Sequence, residues 1–565
     1  MKTPPLFCLL LALAACSGPS AEQGGPRASE KSPKAGDVRK TGTIRFDVSC
    51  RPELKADFEA AVALLHSFFY EEARRRFLEI AERDPQCAMA WWGVAMTWYH
   101  PLWAPPTPDE MKKGAEAVEK AKKIGGRTDF EKGFIAAIDA FFSSDEGPAP
   151  AETVAESCHG PRALSARAVC FRQGIERLRK TLPDNLEVKT FYALALLGTA
   201  PPTDKLYQNQ LAAATLLESL AEKNPEHPGI AHYLIHAYDY PSLAAKGLES
   251  ARRYGEIAPW VPHALHMPSH IYTRMGMWKD SIDANLASAA AARDYSARFH
   301  EGAASNDDLH ALDYLEFAYL QTGQEAKAGE IVDHLRAIQK FYPAKDFAAA
   351  YATGAIPARW TLERRRWADA ASLEMPHPEL LKSFPFAEAH IEFARAVGGA
   401  RAGRVDVARA ALGRLAELRE MLKDPKFQWW INQIEIQRLA AAAWIAFADG
   451  RKDEAEARLR ESAALEDKSG THPVTPGQIL PAREQLGDLL LELGRPEEAL
   501  VEYEKSLEAF PNRFHAHYGA ARAAERGGKA DAARKHYEHL LEMSPNADGW
   551  REERTAAKEF LSRRP

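Results

Sequence analysis

Six of the chain's 19 histidines fall between residues 227 and 270: His227, His232, His236, His263, His266 and His270. An even spread would put about one or two in a stretch of that length. His232 and His236 are four apart, and His263, His266 and His270 follow at intervals of three and four. Each set therefore shares one face of a helix. Neutral imidazoles at such spacing ligate Zn²⁺ or Cu²⁺, and a His pair from each of two neighbouring helices makes a four-coordinate site. His232, His236, His266 and His270 are the first-choice ligands, with His263 and Asp239 in reserve. Asp239, Asp308 or Asp313 would add a ligand or supply the acceptor that fixes an imidazole tautomer. The same residues fit a second description, in which the imidazoles bond between helices or hold acidic peptide side chains without metal. His66 and His100, 34 apart, stand near Trp91, Trp92, Trp98 and Trp103. They belong either to packing between helices or to the wall of a ligand pocket.

Other chemistry is scarce. The chain carries no GxSxG, GxxxxGK or HExxH and no GxGxxG after a strand, so no catalytic nucleophile is identified. The sequence therefore predicts no enzyme, with metal-dependent activity on the His cluster as the alternative. A net charge of -6 with mixed signs lacks the basic footprint of a nucleic-acid binder. A long apolar run occurs only at the extreme N-terminus, which excludes a polytopic membrane protein.

The elements that must position these residues are helices. From Phe46 onward, helical patterns of about a dozen residues alternate with short Gly, Pro or Asn turns, and no alternating strand pattern stands out. Gly494, Ala499, Tyr503 and Pro511 recur 34 residues later as Gly528, Ala533, Tyr537 and Pro545. This register resembles the tetratricopeptide repeat, with weaker copies around Gly450, Gly403 and Gly323 and with Pro225 and Pro259 again 34 apart. The resemblance implies an all-α fold, helix-turn-helix repeats stacked into a right-handed α-solenoid. In that frame His232 and His266 both take position 5 of a repeat, His236 and His270 position 9, and His263 position 2. Asp239 falls at position 12, His310 and Asp313 at positions 2 and 5, and His66 and His100 at position 13. Such positions face the concave groove of a tetratricopeptide array. The implied function is a scaffold that binds a protein or peptide there, with His310, Asp313, His66, His100 and Trp92 in the groove. The metal-binding protein, Zn or Cu, is the alternative.

The segments expected are a leader at 1–15, a flexible tether at 16–45 and an N-terminal array with the His-rich groove at 46–342. Degenerate helical pairs follow at 343–467 and C-terminal repeats at 468–565. The leader's end, Leu13-Ala14-Ala15-Cys16, resembles a bacterial lipobox, which implies cleavage before Cys16, acylation of that residue and export. Ser17 after the Cys implies the outer membrane, with the protein facing the periplasm and touching membrane only through its anchor. The stretches around His66–Trp92 and His232–Trp278 resemble bacterial exported tetratricopeptide lipoproteins of unassigned function. Export leaves Cys50, Cys87, Cys158 and Cys170 in an oxidising compartment, where Cys50–Cys87 and Cys158–Cys170 are the local pairings among three.

Overall fold

Alanine-rich segments without β-branched runs become helices here, and each turn is closed by recognisable chemistry. Thr107 and Thr128 head the helices Pro108–Ile124 and Asp129–Phe142 with reciprocal capping boxes to Glu110 and Glu131. Gly323, Gly403, Gly450, Gly494 and Gly528 take positive φ at the turn between paired helices. The computed structural model describes residues 39–102, 105–143, 164–201, 204–423, 427–472 and 474–563. The fold is an all-α solenoid of tetratricopeptide-like helix pairs; among the described residues the one strand pairing is two residues long, Ala304–Ser305 beside Phe341–Tyr342. No described helix is long and apolar enough to cross a membrane.

Lys40–Pro565 is one compact unit, running through the expected segment boundaries at 342/343 and 467/468. Its start corrects the tether boundary at 45. Thr41 and Ile44 are buried, and the Thr43 N–H donates to the Glu226 carbonyl, so the packed body begins at Lys40. The leader, Cys16, the 16–38 part of the tether and Cys158 lie outside the described residues.

The first helices form an aromatic core. Trp92 is fully buried, its ring 5.3 Å from that of Phe46, 5.2 Å from Phe134 and 5.7 Å from Phe191. Cys50 and Cys87 form a disulfide with a Cα separation of 4.7 Å, tying the start of the body to the N-cap of the helix Ala88–Tyr99. Cys170 is buried. The bridge closes 37 residues, and chain entropy assigns such a loop about 4 kcal/mol. Replacing Cys50 and Cys87 with alanine is expected to lower unfolding stability by about that amount in urea titrations. The same protein with dithiothreitol should match the variant.

The solenoid folds back on itself. Trp278 Nε1–H donates to the Asn512 carbonyl at 2.7 Å, and Asn512 Nδ2–H donates to the Gly276 carbonyl at 3.1 Å. Gly276 has φ +66, and a Cβ there would lie 2.6 Å from the Pro511 carbonyl, so this approach requires glycine. The Phe514 N–H donates to Gln321 Oε1, and Arg551 pairs with Glu325 at 2.7 Å. The connection between the helices Lys452–Ser469 and Ala482–Glu492 then crosses the middle repeats. Arg274 donates to the carbonyls of His472, Thr475 and Pro476, and the Tyr314 hydroxyl donates to the Thr475 carbonyl at 3.2 Å.

Candidate metal centre

Three successive helical segments bring the histidines together: Pro228–Tyr238, the broken pair Pro262–His266 and Pro268–Arg274, and Asn306–Gln321. Proline opens the first three at N1 or N2, where its missing N–H costs nothing. Pro268 also breaks the second segment, since its ring would clash with the carbonyl four residues earlier.

Two triads result. His232, His236 and His263 each offer a ring nitrogen within 4.8 Å of the others, and so do His266, His270 and His310. His232 Nε2 lies 3.1 Å from both His236 Nε2 and His263 Nε2, and His266 Nε2 lies 3.0 Å from His270 Nε2. Ligand nitrogens about 2.0–2.1 Å from a tetrahedral Zn²⁺ stand about 3.3 Å apart, so these separations are close to those of a coordination shell. In repeat register the rule is the same twice: positions 5 and 9 of one repeat with position 2 of the next. This corrects the expected single four-His site. His263, three residues before His266 on the same segment, meets His232, while His266 pairs with His270 and His310.

The tautomers are fixed from behind. His232 Nδ1–H donates to the His66 carbonyl at 2.7 Å. His266 Nδ1 faces Asn285 Oδ1 at 2.7 Å, and Asn285 Nδ2 is committed to the Ser281 carbonyl, so the atom facing His266 is an acceptor. His270 Nδ1 lies 2.8 Å from Asp239 Oδ2, while Arg274 holds Oδ1 at 3.0 Å. Burial opposes ionisation of Asp239, but Arg274 and then His270 outweigh it and hold the carboxyl down at about 2. His266 and His270 therefore both carry hydrogen on Nδ1. With both Nδ1 atoms so engaged, the two Nε2 atoms face each other across 3.0 Å in a buried site. Either a shared proton or a cation relieves that contact. A third nitrogen, from His310, is what a cation uses and a proton does not.

Burial and neighbouring imidazoles push His232, His263 and His266 well below the ordinary imidazole range, and His236 and His310 down to about 3. Neutral imidazole is the ligating form. Phe68 covers the first triad, its ring 4.4 Å from His232 and 5.6 Å from both His236 and His263. It does so with φ +53, a left-handed backbone that is costly for a phenylalanine and typical of functional sites. Tyr314 covers the second triad, 4.9 Å from His266, 5.0 Å from His270 and 5.3 Å from His310.

A third group, His66, Glu187 and His227, also lies within 4.8 Å, but its bonding is complete without metal. His227 Nδ1 accepts from the Ile230 N–H, leaving Nε2–H to donate to Glu187 Oε1 at 3.0 Å. His66 Nε2–H donates to Glu187 Oε2 at 3.0 Å and Nδ1 accepts from the Tyr233 hydroxyl at 2.8 Å. Burial opposes the charge on Glu187, yet His227 and His66 hold its carboxyl at about 2. This network positions the His66 carbonyl for His232. It needs Gly229, where a Cβ would sit 2.6 Å from His66 Nδ1.

The expected groove residues are placed differently. His66, His310 and Asp313 are buried, Asp313 against Arg359 at 2.8 Å, and Trp92 belongs to the aromatic core. His100 is half-buried, its ring 5.3 Å from Tyr70. The groove expectation fails for Trp92, His66, His310 and Asp313 because neighbouring helices cover them, and because His472, Thr475 and Pro476 bond to Arg274 and Tyr314 beside the second triad. Asp308 does not join either triad: its N–H donates to the N-cap Ser305 Oγ, and its carboxylate meets Arg293. Sequence reasoning missed Asn285, Phe68, Glu187 and Tyr314. Of these, only Tyr314 shares a helix face with a candidate ligand, four residues after His310.

The family model described as tetratricopeptide repeat matches residues 484–548. A chain of the crystal structure of the APC/C hetero-tetramer Cut9-Hcn1 aligns with 12% identity, covering 90% of this chain and 96% of that chain, with a TM-score of 0.26. No curated protein matches the chain.

Proposed function

We propose that this protein binds two transition-metal ions, Zn or Cu, one in each histidine triad. The observation that carries the reading is the 3.0 Å approach of His266 Nε2 to His270 Nε2 with both Nδ1 atoms already committed to oxygen acceptors. All-nitrogen sites of this kind suit Zn²⁺ and Cu²⁺ better than hard cations such as Mg²⁺ or Ca²⁺. The test is elemental analysis of the untagged protein after loading with each ion and exhaustive dialysis. Two ions per chain is the expected result. No retained ion of either kind would overturn the reading.

A second reading has its own observation. The tetratricopeptide match at 484–548 supports a scaffold that binds a protein or peptide through the C-terminal repeats. It is compatible with a metal centre in the middle repeats, which would then be structural support for the array. Crosslinking of the full chain in its native envelope, against a chain lacking 482–565, tests it. We further propose an exported protein anchored by lipid at Cys16 in the outer membrane and facing the periplasm. Support comes from the Leu6–Ala15 apolar run before Cys16 and from the Cys50–Cys87 bridge, which suits an oxidising compartment. Labelling with a radioactive fatty acid, lost in Cys16→Ser, would report the anchor.

A further inference from the structure

Of the six triad imidazoles, His236 is the one left half-buried, and it stands in the wall of a cavity of ≈ 910 Å³. That volume lies within the usual range of small-molecule sites, about 300–1,000 Å³. The cavity wall is unusually rich in flat rings. Tyr207 and Tyr240 lie 4.5 Å apart, with the Tyr240 hydroxyl fixed by Gln210 at 2.9 Å. Trp429, Trp430 and His472 supply further rings, His472 lying 4.9 Å from Trp429 and 5.3 Å from Trp430.

The triad beside this cavity is incomplete in a specific way. It offers three neutral nitrogens, and the group behind His232 is a carbonyl rather than a carboxylate. A divalent ion held there keeps a fourth position and an uncompensated charge, which favours an anionic donor from outside the chain. The second triad differs, because Asp239 stands behind His270.

We propose that the cavity binds a small aromatic ligand bearing an anionic oxygen donor, a phenolate or catecholate. Its ring packs among Tyr207, Tyr240 and Trp429, and its oxygen takes the fourth position on the ion at His232, His236 and His263. The inference rests on the metal reading above and specifies what the first triad is open to.

The test is titration of the metal-loaded full chain with 4-nitrocatechol, followed by the ligand's absorption band and by tryptophan fluorescence. The expected result is a saturable red-shifted band at one ligand per chain, with quenched fluorescence. Trp429→Ala and Tyr207→Ala should each weaken binding about tenfold with ion content unchanged. His236→Ala should abolish the shifted band. The dimethyl ether of the same catechol, which lacks the anionic donor, should not bind. Two retained ions with no shifted band would overturn this inference and leave the metal reading standing. A shifted band untouched by both Trp429→Ala and Tyr207→Ala would also overturn it, since the ligand would then be chelating metal outside the cavity. Absence of bound ions in the parent would overturn the metal reading and this one with it. Circular dichroism of each variant separates loss of the site from loss of fold.

Discussion

Alanine at His236 is expected to remove one bound ion and leave the second, and alanine at His310 should do the same for the other triad. The two triads share no ligand, so each loss stays local and only the double variant retains none. A free ion at 100 times its dissociation constant stabilises the folded chain by about 2.7 kcal/mol. Each single variant should therefore forfeit about that much of the metal-induced rise in denaturation midpoint, while the metal-free midpoints move much less. Asn285→Ala provides a graded case. It leaves all three nitrogens of its triad in place but frees the His266 tautomer, which should weaken binding about 10–100-fold. Glu187→Gln is the contrast: it breaks the His66–Glu187–His227 network and lowers stability, and the ion count should stay at two. Isothermal titration with Zn²⁺ on the five variants reads the ion counts and affinities, and thermal unfolding with and without Zn²⁺ reads the midpoints. Loss of both ions from either single variant would show that the triads form one site.

The second large effect lies in the buried charges beside the centre. Arg359 is fully buried and lies 2.8 Å from both Asp313 and Glu316, themselves fully buried. Burial works against the guanidinium's charge, but the two acids hold it charged. Burial also pushes Glu316 up to about 8 and raises Asp313, against the pull of Arg359. Arg359 thus faces two buried acids, and burial disfavours the charged form of both. Arg359→Met strands a buried carboxylate and is expected to cost about 3–5 kcal/mol in urea unfolding. Adding Asp313→Asn and Glu316→Gln should return most of it. The pH dependence has a definite sign. An acid whose pKa is higher folded than unfolded binds its proton more tightly in the native state. Its contribution is complete below the unfolded value near 4.5 and is lost as pH rises toward 8. The slope from Glu316 is about 1.4 kcal/mol per pH unit across that window. Glu316→Gln should flatten the stability profile between pH 5 and pH 8, and an unchanged slope would contradict the assignment.

The helical solenoid was legible because its signal is periodic. Gly494, Tyr503 and Pro511 repeat at 34 residues, and the glycines do take the left-handed turns that make the spacing physical. The His candidates were legible for the same reason, since helix periodicity puts His232 with His236 and His266 with His270. The split into two triads was not. It depends on the offset between neighbouring helices, which decides that His263 completes one pair and His310 the other. Asn285 carries no local pattern at all, because its role arises only when the helix Trp278–Phe299 packs behind His266. The bonds of His472, Thr475 and Pro476 to the middle repeats are equally silent in sequence. What places them is the back-folding of the C-terminal pairs onto Arg274 and Tyr314. Trp92 shows the reverse error. Expected in the groove beside His66 and His100, it is sealed into the core by Phe46, whose ring lies 5.3 Å away.

The most direct measurement is X-ray diffraction from crystals grown with Zn²⁺, collected above and below the zinc absorption edge. The account predicts two anomalous peaks per chain. One should lie about 2.0–2.1 Å from ring nitrogens of His232, His236 and His263, and the other at the same distances from His266, His270 and His310. Crystals with saturating zinc and no anomalous peak inside either triad, the His266 and His270 Nε2 atoms still 3.0 Å apart, would contradict it.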